Sequence, residues 1–296
     1  MEACNLCPRR CSADRRVSFG LCGGGSLPKV ARAALHFGEE PCISGEKGSG
    51  TVFFSGCPLG CIFCQNRKIS ADNFGAEVTV ARLSEIFLEL QGAGAHNINL
   101  VSASHYAPWI VEALDGVRGR LQIPVVYNSS AYENVETLKM LDGYINVYLP
   151  DLKYRSNSLA ARLSGVSDYF ETAVAALREM FRQVGSYRFG ADGTLRRGLV
   201  VRHLILPGHN ADSVAVFEAL SEICLPESIL ISVMSQYTPP ENAENPPAEL
   251  MRRLSAEEYE AVLTRVHELG FDGYEQELSS AEREYTPAFD LTGVWK

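Results

Sequence analysis

Thr51-Val52-Phe53-Phe54-Ser55-Gly56-Cys57-Pro58-Leu59-Gly60-Cys61-Ile62-Phe63-Cys64-Gln65-Asn66 joins a short apolar run to a loop that carries three thiols within eight residues. The run at 52–54 has the length and character of a buried strand. A 4Fe–4S cluster normally takes four thiolates. Cys57, Cys61 and Cys64 would therefore leave one iron without a protein ligand, which is the opening that chemistry needs. Zinc is the alternative: a structural zinc site closes its shell with four ligands, and His36 or His105 offers a fourth. The spacing favours the cluster.

Working outward, apolar runs of strand length recur at 98–101, 125–127, 145–149, 199–206 and 229–233. Amphipathic helical stretches separate them. Val80, Leu83, Ile86, Phe87 and Leu90 fall on one helical face, with Thr79 as cap and Gly92 as stop. Pro108 opens the next helix, and helical patterns follow at 133–141, 168–182, 212–223 and 255–269. Strand–helix alternation repeated about six times implies a parallel sheet with right-handed crossovers. Polar residues follow nearly every strand: Ser102, Ser104 and His105; Asn128, Ser129 and Ser130; Asp151 and Lys153; His209 and Asn210; Ser235, Gln236 and Tyr237. Function built from many strand ends is the habit of (β/α) barrels. Six strands are too few for the eight-fold ring. The expected fold is α/β, a partial (β/α)6 parallel barrel over residues 51–296. Residues 185–198, with Asp192-Gly193, read as a loop or hairpin, and the Pro- and Asn-rich stretch 239–247 as a cover for the barrel mouth.

Residues 1–50 read as a small Cys-rich amino-terminal extension. They show little hydrophobic periodicity and cannot bury a core, so ordering them calls for a bound metal. Cys4, Cys7, Cys11 and Cys22 supply four soft ligands, enough to close a shell. Zinc would make the element structural; a second 4Fe–4S cluster would make it an electron relay or a substrate anchor. Cys42 and Cys224 read as packed or free thiols. Nine cysteines, without an apolar secretory stretch or a run long enough to cross a bilayer, point to a cytoplasmic protein using thiols for metal binding or catalysis. With 27 basic and 36 acidic side chains the net charge is −9, which argues against a general grip on nucleic acid. Arg9, Arg10, Arg15 and Arg16 read as a solvated basic corner.

The pattern Cys57-x3-Cys61-x2-Cys64 after the first strand, with Phe63 before the last cysteine, resembles the radical S-adenosylmethionine (SAM) superfamily. That resemblance implies cluster ligation by the three cysteines and an adenine contact around Phe63. It implies that the open iron is chelated by the amino and carboxylate groups of SAM. One electron from the cluster would then cleave the sulfonium to methionine and a 5′-deoxyadenosyl radical that abstracts hydrogen. Asp151-Leu152-Lys153 resembles the Asp-x-Lys of glycyl-radical activating enzymes, typified by the pyruvate formate-lyase activase. There Lys153 would pair with the cofactor carboxylate while Asp151 orients it or holds a cation. Asn128-Ser129-Ser130 resembles the polar group that faces the ribose and methionine. Arg202 with Pro207-Gly208 resembles that family's Arg and Pro-Gly signature, and Arg202 would neutralise carboxylate charge; an Arg in an apolar strand must find an anion or face water. The superfamily's Gly-Gly-Glu-Pro is replaced here by Val101-Ser102-Ala103-Ser104-His105, where Ser102, Ser104 or backbone carbonyls would serve.

Over nearly the whole chain, a subgroup of pyruvate formate-lyase activating enzyme-like proteins is similar. It shares Cys4-Asn5-Leu6-Cys7-Pro8-Arg9-Arg10-Cys11 and stretches at 97–101, 202–204 and 234–237. The implied activity is hydrogen abstraction from a backbone glycine of a glycyl-radical enzyme, with a flavodoxin- or ferredoxin-type electron donor. Two other readings stand beside it: the same chemistry on a small molecule, peptide or nucleic acid, and a non-catalytic iron–sulfur or zinc protein that binds a partner. Convergent polar groups at one pocket speak against the binder.

Overall fold

The apolar runs lie side by side in one sheet, and helices between them pack back upon it. The computed structural model describes residues 2–240, 246–280 and 286–295. The strands are β1 (Lys29–His36), β2 (Ser49–Phe54), β3 (Ala76–Glu77), β4 (Ile98–Val101), β5 (Val125–Ser129), β6 (Val147–Pro150), β7 (Arg188–Phe189), β8 (Leu195–Leu204), β9 (Leu230–Met234) and β10 (Asp272–Glu275). The α-helices are α1 (Pro41–Ser44), α2 (Arg67–Ser70), α3 (Val80–Gly92), α4 (Ala107–Gly116), α5 (Val135–Met140), α6 (Asn157–Ser164), α7 (Tyr169–Val184), α8 (Asn210–Ile223) and α9 (Ala256–Glu268).

Strand order is β10-β9-β8-β6-β5-β4-β2-β1-β3, with β7 forming a hairpin onto β8. Along that order every neighbouring pair from β2 to β10 is parallel, the β7–β8 hairpin alone being antiparallel among them. Among the described residues the path ends at β10 and β3 without closing, so the fold is an α/β partial barrel. The six strands read from the sequence are all in it. A seventh parallel strand, β10, is Asp-Gly-Tyr-Glu and largely exposed; an edge strand of that kind has no hydrophobic period to read. The sheet also extends before residue 51. Strand β1 pairs antiparallel with β2 and buries Val30, Ala31 and Ala33. Residues 29–50 thus share the main sheet, while the cysteines at 4–22 precede it.

Local sequence explains the supporting elements. Helix α3 starts where Thr79 Oγ1 accepts the Arg82 N–H at 3.1 Å, a cap worth about 1 kcal/mol. It buries Leu83, Ile86, Phe87 and Leu90. Alternation along β5 sends Val125 and Tyr127 to the helix layer and Val126 inward. There Val126 meets Val147, Leu149, Val200, Leu230 and the α1 residues Cys42 and Ile43. Helix α1 is therefore a plug in the barrel interior, and Cys42 is a packed thiol; Cys224 is buried in the outer layer. No helix among the described residues is long and apolar enough to cross a membrane. Of the expected mouth cover at 239–247, residues 241–245 lie outside the described residues.

Candidate active site

One cavity gathers the strand ends and the three-cysteine loop. Cys57, Cys61, Phe63 and Cys64 line it together with Ser102, Asn128, Ser129, Asp151, Lys153 and Arg202. Each sulfur accepts a hydrogen bond: Cys57 Sγ from the Leu59 N–H at 3.4 Å, Cys61 Sγ from Ser164 Oγ at 2.9 Å, Cys64 Sγ from Ser70 Oγ at 3.2 Å. Burial pushes the Cys57 and Cys61 thiols up; for Cys61 the Lys153 ammonium acts against it. Such a set is costly as bare thiolates and suited to metal, because outer donors stabilise sulfur bound to iron. Among the described residues no three Cys, His, Asp or Glu side chains close on one ion-sized position; a four-iron cube takes its thiolates at separate corners. Phe63 is buried, its ring 6.3 Å from that of Tyr237.

The polar end of the cavity is an ion network across strands. Sheet register sets Val101 against Asn128, and Asp151 bridges to Arg202 just beyond β6. Arg202 donates from Nε to Asp151 Oδ1 at 2.7 Å, from Nη2 to Asn128 Oδ1 at 2.7 Å and from Nη1 to Glu39 Oε2 at 3.1 Å. Lys153 Nζ donates to Asp151 Oδ2 at 2.7 Å. Burial would raise Asp151, but Arg202 and Lys153 hold its carboxyl below the usual range. Burial lifts Glu39 despite Arg202. The anions that an Arg in an apolar strand needs are present in the protein itself, Asp151 and Glu39, and Arg202 lines the cavity beside them. Lys153 keeps two further ammonium hydrogens after its bond to Asp151.

Glu39 is the residue that sequence reading missed. It enters the site ahead of the α1 plug and not from the end of a parallel strand. Its only trace in the sequence is an acidic pair, Glu39-Glu40, in an otherwise Gly- and Cys-rich segment.

Ser102 and Ser104 part company. Ser102 lines the cavity in the left-handed region at φ 59°, held by its N–H donating to the Asn128 carbonyl at 2.9 Å. A strained non-glycine backbone of this kind is characteristic of functional sites. Ser104 does not line the cavity. A 3-10 turn over Ser104–Tyr106 swings its hydroxyl into the outer layer, where it bonds Glu133. His105 is also buried there, Nε2 lying 2.8 Å from the Ser55 carbonyl, and burial lowers its pKa to about 4. Of the two histidines considered as a fourth ligand, only His36 lines the cavity. Cys4, Cys7 and Cys22 are buried and Cys11 half-buried, and none of the four lines the cavity.

The structure is thus a partial barrel with a three-thiol loop and one cavity at its strand ends. Residues 51–220 match the radical SAM superfamily, more than half of the chain, and the chain belongs to it. Members of that superfamily are enzymes of radical chemistry, and membership implies a 4Fe–4S cluster and SAM. The uncharacterized protein MJ0674 of Methanocaldococcus jannaschii is 28% identical over 277 residues, covering 91% of this chain and 75% of that protein. A spore photoproduct lyase structure superposes with a TM-score of 0.51 at 12% identity, covering 75% of this chain and 74% of that one; at such identity the likeness shows the fold alone. SuiB of Streptococcus suis, bound to the precursor peptide SuiA, gives a TM-score of 0.49 at 13% identity and covers 76% of this chain and 48% of that one. The chain spans about half the length of the SuiB structures it matches.

Proposed function

We propose that the chain is a cytoplasmic radical SAM oxidoreductase of the glycyl-radical activase type, with its 4Fe–4S cluster on Cys57, Cys61 and Cys64. Those three thiols would hold the cluster, and when bound it would supply the electron for reductive cleavage of SAM. The protein's own part is to bind and orient. Ser70, Ser164 and the Leu59 N–H point donors at the three sulfurs. Lys153, fixed by Asp151, offers its ammonium to a carboxylate. Ser102, Asn128 and Ser129 offer polar atoms to the amine and ribose, and Phe63 an apolar face to the adenine. Arg202 touches Asp151, Asn128 and Glu39 and acts as a positioning residue. The hydrogen donor is taken to be a backbone glycine of a glycyl-radical enzyme, and the electron donor a flavodoxin- or ferredoxin-type carrier. Cys4, Cys7, Cys11 and Cys22 form a second metal centre in the extension that precedes the barrel.

The observation that carries this reading is the convergence of the three thiols and the Asp151–Lys153 pair on one cavity. Anaerobic reconstitution with iron and sulfide, then dithionite and SAM, tests it. Expected is 5′-deoxyadenosine from the native chain and none from Cys61→Ala. A loaded cluster that never cleaves SAM would mean a binding protein. Deuterium carried into 5′-deoxyadenosine from a Cα-labelled glycyl-radical enzyme, and not from free peptides or nucleosides, tests the substrate.

A further inference from the structure

The four amino-terminal thiols take no part in lining the cavity, and the chemistry assigned to Cys57, Cys61 and Cys64 does not call on them. The chain nevertheless folds back to gather them. The Ser12 N–H donates to the Cys4 carbonyl at 3.0 Å and the Cys4 N–H to the Ala13 carbonyl at 3.1 Å. Cys11 and Cys4 are within hydrogen-bonding reach through their side chains. A Cβ placed on Gly20 would lie 3.3 Å from the Cys22 sulfur and 3.6 Å from that of Cys11. Cys7 feels the charge of Cys22 and Cys4.

A second observation is independent of the cysteines. Arg15, read from the sequence as part of a solvated basic corner, is 1% exposed. Its Nε donates to the Gly25 carbonyl at 2.9 Å, its Nη1 to the His105 carbonyl, and its plane lies over Tyr106 and Trp109. Its Nη2 is buried with no hydrogen-bond partner. Among the described residues no carboxylate pairs with it; its charge acts on His105, Tyr106 and Cys22, of which the Cys22 thiolate is the metal-binding anion. A buried unpaired guanidinium is costly and calls for an anion. Four thiolates around zinc or around a four-iron core keep a net negative charge and supply one.

Third, this element touches the radical-cluster loop through a ligand on each side. The Cys57 N–H donates to the Cys22 carbonyl at 3.1 Å. Gly56 makes the approach possible, because a Cβ there would stand 2.2 Å from that same oxygen. Arg9 Nε adds a bond to the Pro58 carbonyl at 2.8 Å. Such a junction suits an electron carrier, since covalent bonds and one hydrogen bond run from the Cys22 sulfur to the Cys57 sulfur.

We propose that Cys4, Cys7, Cys11 and Cys22 hold a second iron–sulfur cluster that is the electron entry port of the enzyme, with Arg15 as its buried counter-cation. The proposal rests on the reading of Cys57, Cys61 and Cys64 as the SAM-cleaving centre. The external reductant is a one-electron carrier of the flavodoxin or ferredoxin class. It loses one electron to the amino-terminal cluster, which passes that electron to the Cys57 side; no proton or leaving group moves in either step. Cys11, the least buried of the four, marks the entry side and Cys22 the exit.

The test uses the full chain purified anaerobically, with iron, zinc and EPR measured on native protein, Cys11→Ala, Arg15→Gln and Cys61→Ala. Native protein should hold about eight irons, two four-iron clusters, and no zinc. Cys61→Ala should lose the SAM-responsive signal and keep the other. Cys11→Ala should lose fast reduction by a reduced flavodoxin while dithionite-driven SAM cleavage persists. Arg15→Gln keeps all four thiols and should lower the midpoint potential of the SAM-insensitive cluster, since a cation has been removed beside it. One zinc in place of the second cluster overturns the proposal, as does flavodoxin reduction unchanged in Cys11→Ala. Absence of any SAM-responsive signal in native protein overturns instead the reading beneath it.

Discussion

Two groups of cysteines touch each other in this chain and are built in opposite ways. Cys57, Cys61 and Cys64 are three thiols on a loop that faces a cavity lined by Asn128, Asp151 and Lys153. Cys4, Cys7, Cys11 and Cys22 are four thiols gathered by a chain that doubles back on itself, with one unpaired guanidinium beside them. Three thiols next to a polar cavity would leave a bound cluster one coordination position and the means to orient what fills it. Four thiols next to a lone cation would give charge balance and no opening. Ligand number and neighbours, more than the cysteines themselves, separate a centre that reacts from one that holds or conducts.

The largest effect expected is on the reactive side of that contrast. Cys61→Ala should abolish SAM cleavage while the iron bound by the amino-terminal group remains; loss of both together would mean that the two groups are one site. Next comes the ion network. Arg202→Met leaves Asp151 and Glu39 buried with only Lys153 between them, and removing one partner of a buried ion network costs about 3–5 kcal/mol. Chemical unfolding of the anaerobic protein reads this directly, and a cost below about 1 kcal/mol would place the network in water.

Much of the reactive side was legible in the sequence because parallel strands put the residues that follow each apolar run at one end of the barrel. Asn128, Asp151 and Lys153 were read from that rule, and the cavity contains them. The rule fails where the backbone leaves the strand axis. A single residue, Ala103, separates Ser102 from Ser104, yet a 3-10 turn carries the second to the opposite side of the sheet. It also fails for groups that come from elsewhere: Glu39 reaches the cavity beside the α1 plug, whose four residues carry no helical period. Arg15 misled for a related reason. Four arginines among eight residues read as solvent-facing, and nothing local says that one of them stacks on Tyr106 and Trp109, far along the chain.

A buried acid whose charge Cys7 feels sharpens the contrast by its titration. Glu133 bonds Ser104 and lies 3.5 Å from the Tyr127 hydroxyl; burial raises its pKa from 4.5 to about 7. The folded chain therefore keeps a proton that the unfolded chain has released. Its contribution to stability is whole below pH 4.5 and is lost as pH rises through 7. The loss is on the order of 3 kcal/mol by pH 8. Glu133→Gln cannot ionise and should remove this decline, so that the variant is the more stable protein at pH 8 and not at pH 5. Melting curves at the two values decide it, and parallel curves for both proteins would place the carboxyl in contact with solvent.

The smallest effect tests the junction itself. Gly56 stands at φ 89°, where an L side chain is strained, and its missing Cβ is the space that the Cys22 carbonyl occupies. Alanine there costs about 1–3 kcal/mol for the backbone, and the clash must be relieved by parting the two loops. The thiols of both groups are untouched, so iron content and dithionite-driven SAM cleavage should stay near native. What should fall is reduction of the SAM-responsive centre by a protein carrier, because the Cys57 N–H can no longer reach the Cys22 oxygen. Fast carrier-driven reduction in a Gly56→Ala protein that binds its full iron would show that electrons do not cross at this contact, and the two groups would then be neighbours without being partners.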